Sequence, residues 1–122
     1  MNLDHTKIKE LYSNKIGMTF FWENTQEGHP YHNRINIIID NTGLHLDNTE
    51  LDVFLKDIEN ALERPINCGG EDPKNCKSML LETPMTQLSF AMSFNNLIDM
   101  KDLITGTLFE LSLSKILKEM LD

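Results

Sequence analysis

The sequence predicts an α+β protein in which one antiparallel sheet of four or more strands carries helices mainly on one face. Three observations lead to this class. Residues 34–40 (RINIIID) and 87–94 (QLSFAMSF) alternate their side chains as half-buried strands do. Residues 47–64 place apolar side chains three and four positions apart behind a capping box, which is typical of an amphipathic helix. Both halves of the chain repeat this order of strand, turn and helix.

The N-terminal residues predict a short helix followed by a strand. Ile8, Leu11 and Tyr12 share one face at helical spacing, so we expect a helix that ends near Asn14. A helix this short is marginal alone and has to pack against another element. Residues 16–22 (IGMTFFW) are rich in β-forming side chains and predict the first strand.

A polar loop over residues 23–33 separates this strand from the strand at residues 34–40, which directs three isoleucines to one face. An Asn-Thr-Gly turn and a short apolar run then lead into the clearest helix. Asp47 and Glu50 form its capping box, and Pro65 ends it. Its apolar stripe consists of Leu51, Phe54, Leu55, Ile58 and Leu62.

The second half begins after a connector over residues 65–76. Residues 78–84 and 87–94 predict two strands, and residues 95–96 predict a turn. The Asp-x-x-Asp pattern at residues 99–102 predicts the start of the last helix. The second of these strands places four apolar side chains on the same face: Leu88, Phe90, Met92 and Phe94.

The two halves have a similar order of elements. Residues 16–64 and 77–121 each contain an alternating strand, an Asn-containing turn, a leucine after it and an acidic helix start. This order indicates an approximate ββα duplication, although two such segments can share these signals by chance. Neither half can cover its own apolar strand face, so we predict a single domain over residues 1–122 in which the strands form a shared sheet.

The last helix carries more apolar surface than one sheet can cover. Its broad stripe, which we assign to the core, consists of Phe109, Leu113, Ile116, Leu117 and Met120, beside Gly106. Ile104, Leu108 and Leu111 form a second stripe, bounded by Lys115 and Lys118. Either the N-terminal helix covers the second stripe or a second copy of the protein does. We predict a homodimer with this stripe as its interface, because uncovered apolar patches mark interfaces.

Composition limits the partners of this protein. The formal net charge of −8 and the pI near 4.9 argue against nucleic-acid binding, which depends on clustered Lys and Arg. We see neither a secretory signal nor a run of about 20 apolar residues, so we expect no membrane partner and a cytoplasmic location. Thiols stay reduced there, so we expect Cys68 and Cys76 as a reduced pair in a flexible connector.

Four residues could form a zinc site. His29 and His32 lie close together on a loop, and Cys68 and Cys76 could supply two thiolates for a tetrahedral set. The cysteines are further apart than structural zinc sites favour, and solvated histidines with free thiols explain the same residues. Cys76, which has two lysines nearby, is the better candidate for a reactive thiolate.

No established catalytic motif is visible in the sequence. We find no nucleophile elbow, no phosphate-binding glycine loop and no His-Glu-x-x-His pattern. The carboxylates of the first amphipathic helix lie on its solvent side, where they serve solubility and capping. Trp22 could form the wall of a ligand site, although a buried aromatic strand is the simpler explanation. We therefore favour a non-catalytic protein without a cofactor other than the zinc considered above.

Residues 29–105 contain a set of short motifs in a defined order. The motifs are Asn41, Leu44, Leu46, Thr83-Pro84, Leu88-Ser89-Phe90 and Phe94-Asn95-Asn96-Leu97. This order resembles a group of small bacterial domains of no known activity, in which a Cys-x-x-Cys pair precedes the first strand. The present chain has His29 and His32 at about that place, so the resemblance leaves metal binding open and implies no activity.

These observations lead to three functional hypotheses. We expect a non-catalytic cytoplasmic protein that self-associates through its last helix or a sheet edge and presents loops 23–33 and 65–76 to an unidentified protein partner. The first alternative is a zinc-binding module that uses the two histidines and two cysteines named above. The second alternative is a small-molecule sensor or enzyme with a pocket between sheet and helices.

Overall fold

The computed structural model describes residues 7–23, 28–29, 32–65, 68–70, 72 and 74–121. These residues form, in order, β1 (Lys7–Ser13), β2 (Gly17–Glu23), β3 (Ile35–Ile39), β4 (Thr42–Leu46), α1 (Asn48–Leu62), β5 (Met79–Glu82), β6 (Ser89–Met92) and α2 (Phe94–Leu121). β1 to β4 form an antiparallel sheet in chain order, and β5 and β6 form a separate antiparallel pair. The predicted α+β class, a four-stranded antiparallel sheet with helices packed on it, is confirmed.

Alternation along the strands gives the four-stranded sheet an inner and an outer face. In β3, Ile35, Ile37 and Ile39 are buried on the inner face, as the sequence predicts, whereas Ile38 is exposed on the outer face. β3 and β4 join through a tight hairpin whose first turn residue, Asp40, has a φ of 54°. Asp tolerates this left-handed conformation better than most residues, so the two strands can pair up to the turn itself.

The predicted N-terminal helix is wrong, because residues 7–13 form a strand. β1 pairs with β2, and the register shifts at Leu11, between Glu10 and Tyr12. This bulge lets two consecutive residues, Leu11 and Tyr12, both contact the core. Their spacing from Ile8 imitates one face of a helix, although Ile8 itself is exposed.

α1 forms where the sequence predicts it. The Asp47 carboxylate accepts a hydrogen bond from the Glu50 N–H (2.8 Å), and the Glu50 carboxylate accepts one from the Asp47 N–H (3.0 Å). This reciprocal pair satisfies two N–H groups at the start of the helix. Leu51, Phe54 and Ile58 are fully buried, and the helix packs against β5 and α2.

α2 begins earlier than the sequence predicts. The Ser93 hydroxyl accepts a hydrogen bond from the Asn96 N–H (3.0 Å), and the Asn96 side-chain carbonyl accepts one from the Ser93 N–H (3.1 Å). The predicted turn at residues 95–96 is therefore the first turn of the helix, and the predicted start at Asp99 lies inside it. Ser93 and Asn96 therefore cap the helix, a role that the sequence pattern assigns to Asp99 and Asp102.

β5 and β6 cover the predicted strand residues, yet they do not join the larger sheet. Met79 and Leu81 are buried, and Leu88, Phe90 and Met92 contact the core as their alternation predicts. The hairpins β3–β4 and β5–β6 each lead into a helix with a reciprocal cap. Side chains from both halves enter one core, in which α1 packs against β5 and α2 packs against β1 and β2.

Two glycines of the four-stranded sheet give a matched test of its packing. A Cβ on Gly17 would overlap the carbonyl oxygen of Ile38, whereas a Cβ on Gly43 would have its nearest neighbour, the Ile37 carbonyl oxygen, at 4.0 Å. Gly17→Ala should lower the free energy of unfolding by about 1–3 kcal/mol, because the backbone has to move. Gly43→Ala should change it by less than about 0.5 kcal/mol. Urea denaturation followed by circular dichroism measures both values, and equal losses would contradict this packing.

Candidate functional site

The two histidines of the predicted zinc site lie in a turn before β3. The His32 N–H donates a hydrogen bond to the His29 carbonyl oxygen at 3.0 Å. Both side chains are half-buried. Asn33, the next residue, has a φ of 55° and turns the chain toward β3. The sequence therefore locates this pair correctly on a turn.

Cys68 and Cys76 are joined by a disulfide bond, with their Cα atoms 6.0 Å apart. Gly69 and Gly70 have φ values of 59° and 106°, which let the connector turn back on itself. The Ser78 hydroxyl lies 3.3 Å from the sulfur of Cys68 and 3.4 Å from the sulfur of Cys76. The expectation of a reduced pair is therefore wrong for this structure, because the glycine turn brings the two residues within bonding distance.

The predicted zinc site is not assembled among the described residues. In the part of the chain that the structure describes, no group of three or more His, Cys, Asp or Glu side chains could hold a metal ion. Zinc binds cysteine as the thiolate, so the disulfide would first have to be reduced. The site built from His29, His32, Cys68 and Cys76 therefore stays a prediction.

Of the three residues predicted for the dimer interface, the structure contradicts Ile104, which is fully buried within one chain. Ile104 is 0% exposed, and Leu108 and Leu111 are partly buried against the core. They lie on the side of α2 that also carries Leu97 and Met100, both fully buried. The sequence pattern assigns the broader apolar stripe of α2 to the core. Helical spacing alone, however, does not determine which of the two apolar stripes packs against the sheet.

The stripe that the sequence analysis assigns to the core is instead exposed. Phe109 is 64% exposed, Ile116 is 53% exposed and Met120 is 76% exposed. With Leu113 they follow a spacing of four, three and four residues, which is the heptad spacing of a coiled coil. We call these residues the α2 seam; they are Phe109, Leu113, Ile116 and Met120, with exposed Leu117 and Leu121 beside them.

Polar contacts anchor the first half of α2 to β1 and β2. The Tyr12 hydroxyl donates a hydrogen bond to the Asp102 carboxylate at 3.0 Å, and the Asn14 amide donates one to the same carboxylate at 2.9 Å. The hydroxyls of Thr19 and Thr107, both fully buried, hydrogen-bond at 2.6 Å.

α2 is 28 residues long, or about 42 Å, and its C-terminal third is nearly all exposed. The last turns of the helix therefore extend beyond the core.

A cavity of about 760 Å³ lies between β2, the turn before β3 and the two helices. Trp22, His32, Arg34 and Leu111 are among the residues that line it. The Arg34 guanidinium pairs with the Glu50 carboxylate at 3.0 Å, so its charge is already compensated. The volume is in the range of ligand sites. The sensor or enzyme hypothesis therefore has a pocket available, and it stays a prediction.

A polar cleft of about 490 Å³ lies at the N-terminus of α2. Lys15 and Lys77 line it together with Asp40 and Asp99, and the Lys15 ammonium pairs with the Asp99 carboxylate at 3.6 Å. The two ammonium groups and the two carboxylates cancel in formal charge. The cleft therefore has no net charge that would select an anion or a cation.

No protein-family model matches this chain, and no curated protein or solved structure matches it. Neither helix among the described residues has the length and apolar character that crossing a membrane requires. The resemblance to small bacterial domains stays a prediction. Function therefore has to be inferred from the contacts and exposed surfaces of the chain itself.

The Tyr12–Asp102 contact predicts a pH dependence of stability. The pKa of Tyr12 is raised above its ordinary value of 10.0 because its hydroxyl donates a hydrogen bond to the Asp102 carboxylate, and burial and charge repulsion add to the rise. The contact should stabilise the fold fully below pH 10.0, and this contribution should be lost as pH rises through the raised pKa.

Ultraviolet titration of a Tyr31→Phe protein, in which Tyr12 is the remaining tyrosine, measures this pKa. It should lie above 10.0, and Asp102→Ala should return it toward 10.0. A pKa that Asp102→Ala leaves unchanged would assign the rise to burial alone and contradict the role of the hydrogen bond.

The disulfide predicts how much the connector contributes to stability. Its cysteines are separated by 8 positions, and the chain-entropy estimate for such a loop is about 2.5 kcal/mol. Cys68→Ser should therefore lower the free energy of unfolding by about this amount in urea without reductant. In dithiothreitol the variant and the parent should have equal stability. A difference that persists in reductant would show that the cysteine contributes through its packing instead.

Proposed function

We propose that this protein is a non-catalytic interaction module that self-associates through the α2 seam. The observation that carries the proposal is the exposure of these heptad-spaced side chains on a helix that extends beyond the core. Removing apolar surface from water is favourable, at roughly 25 cal/mol per Å². A contiguous stripe of this kind therefore favours association over solvation.

A second copy of the chain is the occupant that the seam fits best. Its heptad spacing matches a partner helix with the same spacing, and α2 of another copy supplies one. Glu110 and Glu119 balance Lys115 and Lys118 along these turns. Two copies of this segment can therefore approach each other without the like-charge repulsion that the chain's net charge of −8 would cause elsewhere.

Self-association of this kind needs no change in the fold. The contacts of Asp102 and Thr107 with the sheet lie N-terminal to the seam along α2. Ile104, Leu108 and Leu111 can stay packed against the core while the seam pairs. The proposed interface therefore moves to the opposite side of the helix from the interface that the sequence predicts.

The proposal keeps a cytoplasmic location and a further protein partner at loop 23–33 and connector 65–76. The disulfide bond argues against a cytoplasmic location, because the cytoplasm keeps thiols reduced. There the bond between Cys68 and Cys76 would be reduced and the connector would open. The seam contains no cysteine. Self-association through it is therefore independent of the redox state of Cys68 and Cys76.

Sedimentation equilibrium of the full chain tests the proposal. The parent should dimerise in the micromolar range. Ile116→Gln removes one apolar side chain from each copy, which costs about 1.5 kcal/mol per copy. The dissociation constant should therefore rise about a hundredfold.

Lys118→Arg is the control, because it changes an exposed side chain of α2 on the side away from the seam and keeps the positive charge. It should leave the dissociation constant within about twofold of the parent. A parent that sediments as a monomer throughout this range, or equal effects of the two substitutions, would contradict self-association through the seam.

A further inference from the structure

The side of α2 that carries the seam is covered by β1 at the turn before Phe109. Gly106 lies three positions before Phe109 and seven before Leu113, so it belongs to the same heptad stripe as the α2 seam. A Cβ on Gly106 would lie 2.6 Å from two ring carbons of Tyr12, which is an overlap. The Tyr12 ring therefore fills the space over this side of the helix at residue 106.

The same side of α2 is also occupied one turn earlier. The Asp102 carboxylate accepts hydrogen bonds from the Tyr12 hydroxyl and from the Asn14 amide. The Asn14 amide also donates to the backbone carbonyl oxygen of Asp99 at 2.8 Å. β1 and the turn after it therefore lie along the seam side of α2 in the turns N-terminal to the seam.

This cover limits how a partner helix can lie on the seam. In a parallel pair each residue lies opposite its counterpart, so the two Gly106 positions would face each other across helix axes about 8–10 Å apart. The Tyr12 rings of both copies already occupy that space, and the backbones of both β1 strands lie behind them. A parallel pair is therefore blocked where the seam meets β1.

An antiparallel pair avoids this overlap and also separates charge. Leu113 then lies opposite Ile116 of the second copy, and Phe109 lies opposite Met120. The Tyr12 rings, with the sheets to which they belong, lie at opposite ends of the pair. Each chain carries a net charge of −8, and repulsion between charged bodies is screened beyond about 8–10 Å at physiological salt. The antiparallel arrangement therefore brings the apolar side chains together while it keeps the two acidic sheets apart.

We infer that two copies of this chain pair antiparallel through the α2 seam and form a closed two-fold dimer. The inference rests on the self-association proposed above and specifies its geometry. The connector contacts the N-terminal end of α2, where the Lys74 carbonyl oxygen accepts a hydrogen bond from the Asn95 N–H and the Asn75 side-chain oxygen accepts one from the Asn95 amide, both at 3.2 Å. At a rise of about 1.5 Å per residue, the two connectors lie about 60 Å apart. The dimer therefore presents two identical connector surfaces at its opposite ends.

Pulsed electron–electron double resonance on the full chain tests this orientation. A nitroxide label is attached to Lys101→Cys or to Thr105→Cys, since both positions are exposed on α2 outside the seam. The two native cysteines are joined in a disulfide, so the parent should take up no label without reductant. In the antiparallel pair the two labels should lie about 40 Å apart at position 101 and about 28 Å apart at position 105, because each turn toward the seam brings the copies closer. In a parallel pair the two positions should give nearly the same distance.

Sedimentation equilibrium of the same labelled proteins separates the orientation from the self-association. Both labelled variants should keep the dissociation constant of the parent, and Ile116→Gln added to either should abolish the dipolar signal at concentrations near that constant. A dimer with equal distances at positions 101 and 105 would overturn the antiparallel orientation and leave self-association through the seam intact. A parent that sediments as a monomer overturns both.

Discussion

The fold depends on how the two parts of the chain, β1 to α1 and β5 to α2, cover each other. α2 packs against β1 and β2, and α1 packs against β5, so each helix meets strands of the other half. The first of these contacts contains a buried hydrogen bond between the hydroxyls of Thr19 and Thr107, and each hydroxyl also lies within hydrogen-bond distance of a backbone carbonyl oxygen, so both are satisfied out of water. Since this contact sets where α2 meets the sheet, it also determines that the C-terminal turns of the helix extend past the surface that could cover them.

Local patterns in the sequence predict the elements whose signals are themselves local. The alternation in β3, the capping box of Asp47 and Glu50, and the core side of β6 all follow from neighbours within a few residues. β1 could not be predicted in this way, because a bulge at Leu11 gives a strand the spacing of a helix. The acidic residues of α2 do not predict its start, because Ser93 and Asn96 form the cap instead.

The candidate sites depend on contacts between distant residues, and the sequence predicts them less well. Apolar residues lie on both sides of α2, so the sequence pattern predicts two apolar stripes but does not determine which one is buried. In the structure Ile104 packs in the core, whereas Phe109 is exposed to solvent. The sequence predicts that the stripe with Phe109 packs in the core, whereas in the structure the turns that carry this stripe are exposed. Cys68 and Cys76 are found by inspection, but their bond depends on the φ angles of two glycines.

The bond between Thr19 and Thr107 joins residues 88 positions apart, and this separation has a consequence during synthesis. On the ribosome, β1 to β4 emerge well before the helix that covers the inner face of β1 and β2. A nascent chain that has reached only α1 therefore presents an open apolar sheet with exposed strand edges. The cell would have to shield that intermediate until α2 leaves the exit tunnel, and translation pauses between the two halves would lengthen its exposure.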